Sequence, residues 1–181
     1  KEIGLEIDGP QIIEVVDELK RLEHEGYHFE AADASLELLL RRATGWEQPW
    51  YRIESFSVST DKLSGDDGGD ATAAGTFRTE ATIKVVVQGR TVMTAAEGNG
   101  PVNALDGALR AAIGDIYPAL AHLHLTDYKV RVLDTWKATG AVTRVLVDTT
   151  DGETTWTTIG VSENIIEASW RALADAVEYG L

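Results

Sequence analysis

Hydrophobic residues recur every three or four positions in the first part of this chain and every second position from Trp50 onward, so helix gives way to strand near Gly45. Ile12, Val15, Val16, Leu19 and Leu22 predict a helix over 10–25, with Pro10 in its first turn and Gly26 as its stop. A second helix is predicted over 33–42. Asp33 is placed to cap it, Leu36, Leu39 and Leu40 form its apolar stripe, and Arg41 and Arg42 complement the negative end of its dipole. Two short helices with so little to bury do not make an independent domain. Residues 1–46 are therefore expected to be a helical hinge subdomain.

Beyond it, Tyr51, Ile53 and Phe56 lead a strand through Val58. Further strands are predicted near 76–88 and 90–96, followed by a helix over 102–113. The same order returns with strands near 125–135, 142–149 and 154–159 and a helix over 165–177. The Asp151-Gly152 dipeptide marks the last hairpin. Between the first two strands, Asp61–Gly75 contains Asp66-Asp67-Gly68-Gly69-Asp70. A calcium loop of the EF-hand type needs a glutamate at its twelfth position. That position holds Thr72 counted from Asp61, or Phe77 counted from Asp66, so a mobile acidic loop is expected.

The two halves of this region share residues as well as order. Ala81-Thr82-Ile83-Lys84-Val85-Val86-Val87 returns as Ala141-Val142-Thr143-Arg144-Val145-Leu146-Val147, and Tyr51-Arg52-Ile53-Glu54 as Tyr128-Lys129-Val130-Arg131. Gly89-Arg90-Thr91 answers Gly152-Glu153-Thr154. Gly98 precedes the first helix and Gly160 the second. Ala104, Ala108 and Leu109 fall in step with Ala168, Ala172 and Leu173. Residues 47–181 are thus predicted to be an α+β domain of two pseudo-symmetric βββα units, one about 47–120 and the other about 121–181, with a pocket expected near their pseudo-twofold.

Composition narrows the chemistry. Thirty acidic residues against sixteen basic ones leave a formal charge of −14, which repels phosphate backbones and excludes a nucleic-acid binder. There is no cysteine, no apolar run of membrane-spanning length and no signal-peptide pattern, so a cytoplasmic setting is expected. The chain starts at Lys1 and its only methionine is Met93, which suggests a piece of a longer protein.

No constellation here looks catalytic: there is no nucleophile elbow, P-loop or dinucleotide fingerprint. His122-x-His124 lacks a carboxylate pair at ligand spacing and reads as surface, as do His24 and His28 beside Gly26. No metal site is expected. One segment does look like a binding site: Gly98-Asn99-Gly100-Pro101-Val102-Asn103-Ala104. Two glycines permit close approach to the backbone, and the N–H groups of a helix start can receive a carboxylate. The matching Gly160-Val161-Ser162-Glu163-Asn164 offers Ser162 or Asn164 as a helix cap. Two ordinary, well-capped helix starts are the competing reading.

Glu97-Gly98-Asn99-Gly100-Pro101-Val102-Asn103-Ala104, together with the run Gly160 to Ser169, resembles the C-terminal regulatory domain of the 2-isopropylmalate synthase family. The segment Tyr27-His28-Phe29-Glu30-Ala31-Ala32-Asp33-Ala34-Ser35-Leu36-Glu37-Leu38-Leu39 is similar to one in the citramalate synthase branch, where Phe usually stands at the position of Leu36. The resemblance implies a parent acyltransferase that condenses acetyl-CoA with pyruvate and water to give citramalate, on a route to isoleucine. Its catalytic barrel, with a divalent metal, lies outside this chain, and no cofactor is implied here. This chain would be the feedback sensor: a homodimer that binds isoleucine and works with its own N-terminal barrel.

By the same resemblance, Gly98, Asn99, Gly100, Val102 and Asn103 would face the effector's head group. Leu125, Tyr128, Val132 and Val142 would supply apolar and tyrosine walls, and Ser162 and Asn164 would contribute from the second glycine loop. Asn103 stands where the family commonly has Asp, so either Asp106 or Asp127 would substitute as partner for an ammonium group or the affinity would be weaker. Two other readings stay open: a leucine sensor of a 2-isopropylmalate synthase, and a dimerisation scaffold with no effector.

Overall fold

The computed structural model describes residues 9–45, 50–63 and 76–181. The first helix, α1 (Gly9–Glu25), ends at Gly26, whose φ of +109° lies in the left-handed region that favours glycine. Val15 is buried and Leu19 and Leu22 are half-buried, whereas Ile12 and Val16 are exposed. A 3₁₀ turn (Phe29–Ala31) leads into α2 (Asp33–Ala43).

Two expectations for α2 need correction. Asp33 does not cap the helix. Ala32 holds the cap position, and Asp33 Oδ1 accepts from the Ala34 N–H at 3.0 Å and from the Thr157 N–H at 3.2 Å. The buried face is Ala34, Ser35 and Leu38, while Leu36 and Leu39 lie half-buried at its edge. The reason is tertiary: α2 touches both a strand and a second helix, so its contact surface is wider than one stripe.

In the first repeat, β1 (Arg52–Leu63), β2 (Thr76–Val87) and β3 (Arg90–Gly98) form an antiparallel sheet in that order, and α3 (Pro101–Ile113) follows. Gln88 and Gly89, both with positive φ, make the two-residue turn between β2 and β3. Ala81, Ile83, Val85 and Val87 point to one face and are buried with Ala104, Leu105, Ala108 and Leu109 of α3. β1 runs further than expected. Asp61, Lys62 and Leu63 pair with Arg78, Phe77 and Thr76, because a neighbouring strand satisfies their backbone groups despite poor strand propensity. The rest of the expected acidic loop, 64–75, lies outside the described residues.

The second repeat follows the same plan. β4 (His124–Val132), β5 (Thr143–Thr150) and β6 (Thr155–Ser162) form an antiparallel sheet, and α4 (Ile165–Gly180) covers one face. The predicted strand over 125–135 stops at Val132, and Thr135–Gly140 forms 3₁₀ turns instead. Register confirms the two βββα units: Ile53 pairs with Val85 as Val130 pairs with Val145. It also corrects one equivalence. Val85 faces Val92, whereas Val145 faces Gly160, so Gly160 corresponds to Val92 and not to Gly98, which faces Thr79. The hairpin loops differ, Gln88-Gly89 in one repeat and Asp151–Thr154 in the other, and β3 continues further before its helix.

At Gly160 the backbone of α4 lies directly against the strand. A Cβ there would stand 1.9 Å from the Ala168 carbonyl oxygen and 2.8 Å from the Ala172 nitrogen. Around it Ala168, Ala172 and Ala176 are fully buried against Val145 and Val147. Small residues let the helix axis approach the strands, and burial of the valines supplies the favourable term. On the opposite face of this sheet, Phe29 and Ala32 pack on Ile159 and Val161, with Leu19, Leu22 and Leu36 around them.

The N-terminal helices therefore form one compact unit with residues 119–181, and residues 50–118 form the other. Ser35 ties three elements of the first-named unit: its Oγ donates to Asp175 Oδ2 at 2.9 Å and accepts from the Ile159 N–H at 3.0 Å. Arg42 adds bonds to Asp175 and Glu178 at 2.9 and 2.7 Å.

Gly160→Ala is expected to cost about 3 kcal/mol or more, because a backbone carbonyl cannot move aside as a flexible side chain can; urea unfolding would measure it. Burial, partly offset by Arg42 and Ser35, pushes the Asp175 carboxyl above its ordinary value. The folded form therefore holds this proton to higher pH than the unfolded form. Its cost to stability is full above the folded value and is lifted as pH falls through it. Relative to wild type, Asp175→Asn should be more stable at roughly pH 8 than at roughly pH 4. A difference independent of pH would refute this.

Candidate functional site

The glycine-rich segment of the first repeat forms the end of β3 and the start of α3. A Cβ on Gly98 would stand 2.5 Å from the Ala104 nitrogen, so this glycine serves helix–strand approach. Gly100 is the N-cap, with extended backbone and open space around it. Asn103 turns back on the chain, its Oδ1 accepting from the Asn99 N–H at 3.1 Å. This resembles the return bond of a capping box, made one residue before the cap. Val102 is half-buried beside it. Further along α3, Asp106 Oδ2 accepts from Arg110 Nε at 2.9 Å. Its other oxygen is buried with no partner among the described residues.

At the corresponding helix start of the second repeat, Asn164 is the cap. Its Oδ1 accepts from the Ile166 and Glu167 N–H groups at 2.9 and 3.4 Å, and Ser162 Oγ accepts from the Asn164 N–H at 3.1 Å.

Alternation along β4 sends Tyr128, Val130 and Val132 to the α4 face, with Leu125 against the alanine-rich core. Ser169 Oγ donates to the Ile165 carbonyl, so the Tyr128 hydroxyl donates to Ser169 Oγ, at 2.6 Å. The row remains open: Tyr128, Val130, Val132 and Ile165 are 40, 42, 47 and 45% exposed, although all lie beside a packed core. β4 is also an edge strand. The sequence reading missed Val130 and Ile165; the alternation with Tyr128 and Val132 would have found the first.

Val142 lies on the other face, packed near Ile159 and Val161. There it lines a cavity of about 360 Å³ with Ser162, Gly26, Glu163 and Arg171. Within this unit, then, Val142 does not share a wall with Tyr128 and Val132. Asp127 is engaged: hydrogen bonds from Lys129 and the Tyr128 N–H hold its carboxyl below the ordinary range. His24, His28, His122 and His124 are all exposed, and no three potential metal ligands cluster among the described residues. Among the described residues no helix is long and apolar enough to cross a membrane.

A two-layer βββα repeat with capped helix starts and an open apolar edge describes a sensing or assembly module. Residues 30–181 match the family described as LeuA allosteric (dimerisation) domain, and the chain belongs to that family. Among curated proteins it is 48% identical over 179 residues to the (R)-citramalate synthase of Synechocystis sp., covering 99% of this chain and 32% of that protein. It is 45% identical over 183 residues to the (R)-citramalate synthase of Aquifex aeolicus, covering 100% of this chain and 33% of the relative. The 2-isopropylmalate synthase of Shewanella sediminis is more distant, at 26% over 127 residues, which is 70% of this chain and 20% of that protein. The chain spans about one third of the length of the citramalate synthases it matches.

Tyr128→Phe removes the bond to Ser169 while keeping the ring. It should lower stability by about 1 kcal/mol, measurable by urea unfolding; no change would place the hydroxyl's partner in solvent.

Proposed function

We infer that this chain is the feedback-sensing and dimerising part of a citramalate synthase, and that isoleucine is its effector. The observation that carries the reading is the open row Tyr128, Val130 and Val132 on an edge strand, with Ile165 at the start of α4 also exposed, in a domain whose family is described as allosteric and dimerising. The parent protein would condense acetyl-CoA with pyruvate and water to give citramalate, in the cytoplasm. Its divalent metal would belong to a catalytic part outside this chain. The relatives' names and the likeness of Tyr27–Leu39 to the citramalate branch support that choice.

An amino-acid effector needs donors for its carboxylate, an acceptor for its ammonium and an apolar wall. In the second repeat, Leu125, Tyr128 and Val132 are assigned as wall residues, with Ser162 and Asn164 at the adjacent helix start. In the first repeat, Gly98, Asn99, Gly100, Val102 and Asn103 keep the head-group role that the resemblance implies, and Asp106 Oδ1 has no partner among the described residues. Isoleucine and leucine differ only in the placement of a methyl group, a discrimination of about 1–3 kcal/mol. For inhibition, isoleucine must bind the less active form of the whole enzyme more tightly than the active one.

Calorimetric titration tests the reading. Saturable binding near one isoleucine per chain is expected, weakened about tenfold, or about 1.4 kcal/mol, by Tyr128→Ala. Val130→Glu should convert a dimer to a folded monomer in sedimentation. Tighter binding of leucine would move the chain to the 2-isopropylmalate synthase branch. No heat with either amino acid would leave a dimerisation scaffold.

A further inference from the structure

The face of the second sheet opposite Tyr128 carries an electrostatic anomaly. Arg131 on β4 and Arg144 on β5 are direct cross-strand partners, and they project to the same side. Like charges directly opposite each other are unfavourable, and an opposing acid is the usual remedy. Here, among the described residues, no carboxylate stands within salt-bridge distance of either guanidinium, in a chain of net charge −14. The neighbouring Lys129, by contrast, is matched. It is held by Asp127 at 2.6 Å and Asp148 at 3.4 Å, and His28 stands 3.4 Å from Glu30.

Arg144 is anchored as well as unpaired. Its Nε donates to the Gly26 carbonyl at 2.6 Å, which fixes the guanidinium beneath the turn after α1. Burial and the neighbouring Arg131 charge both lower its pKa. The two arginines border a cavity of about 350 Å³ whose remaining wall includes His28, Ala31 and Leu146.

We propose that this cleft is an anion site that takes a phosphate group, held between the Arg131 and Arg144 guanidiniums. Adjacent strands put the two side chains on Cα atoms about 5 Å apart, and both line the same cavity. With Arg144 Nε held by Gly26, the terminal N–H groups of that guanidinium are the ones left for a ligand. Their two uncompensated charges match a dianion, and a guanidinium's paired N–H groups fit phosphate oxygens. A single carboxylate would leave one positive charge unbalanced. The net charge of −14 disfavours a long polyanion, and the cavity of about 350 Å³ suits free phosphate or a small phosphate monoester.

The test is calorimetric titration of the whole chain with inorganic phosphate and, separately, with glycerol phosphate, against chloride at equal ionic strength. Saturable binding of at least one phosphate probe is expected in wild type. Arg131→Gln should weaken it roughly tenfold or more, and Arg131→Lys should retain part of it. Arg131 is exposed, so the variants keep the fold, and unliganded Arg131→Gln should melt no lower than wild type because a repulsion is removed. Binding of both probes, or of the monoester alone, identifies the source. No phosphate-specific heat with either probe, or equal binding by Arg131→Gln, overturns the proposal. Isoleucine titration of Arg131→Gln should match wild type, which separates failure of this site from failure of the effector reading.

Discussion

The close seating of α4 on its sheet at Gly160 is the constraint from which the rest of the second unit follows. A side chain there would overlap the Ala168 carbonyl, so the helix can lie at this distance only if the strand offers bare backbone. Alanines at 168, 172 and 176 complete the seam, and the valines of β5 fill the space left between them. Such a seam has almost no spare volume, and it holds the helix in one rotational setting. That setting places Ser169 where Tyr128 can reach it and leaves Ile165 beside the open edge of β4.

The other face of the same sheet is covered by α1, α2 and the turn between them, so a βββα layer becomes a three-layer unit. The attachment combines apolar packing of Phe29, Ala32, Ile159 and Val161 with directional bonds from Asp33, Ser35, Arg42 and Arg144. Packing alone would allow the helices to slide. A hydrogen bond from a strand N–H to a helix side chain fixes their position along the strand. Because α2 contacts β6 and α4 together, a shift of α4 on ligand binding would be felt by the N-terminal helices.

The charge distribution divides these surfaces by chemistry. The α4 side of the β4 edge is apolar and open, as an assembly or amino-acid contact requires. The opposite side holds two adjacent guanidiniums within a strongly acidic chain. A charge that folding leaves unneutralised costs stability, and a binding partner can repay that cost. The two faces of one strand, carrying alternate residues, thus have different recognition properties.

Much of this architecture is written locally. Period-two and period-three-to-four patterns depend on neighbouring residues alone, so the six strands, the main helices and the duplicated βββα order are legible in the chain. The matching alanines at 104 and 168, and at 108 and 172, announce the buried helix faces for the same reason. The helix start at Asn164 is legible because capping is a local hydrogen bond, and the one at Pro101 because proline fixes φ in the first turn. Strand register, and what covers each sheet face, were decided by the tertiary structure. Those long-range pairings made Gly160 the counterpart of Val92, widened the buried face of α2 to include Leu38, and turned Val142 away from Tyr128. They also set Arg131 opposite Arg144. Side-chain alternation states that a residue faces one side or the other, but only the pairing of distant strands and the helices laid on them decides what it meets there.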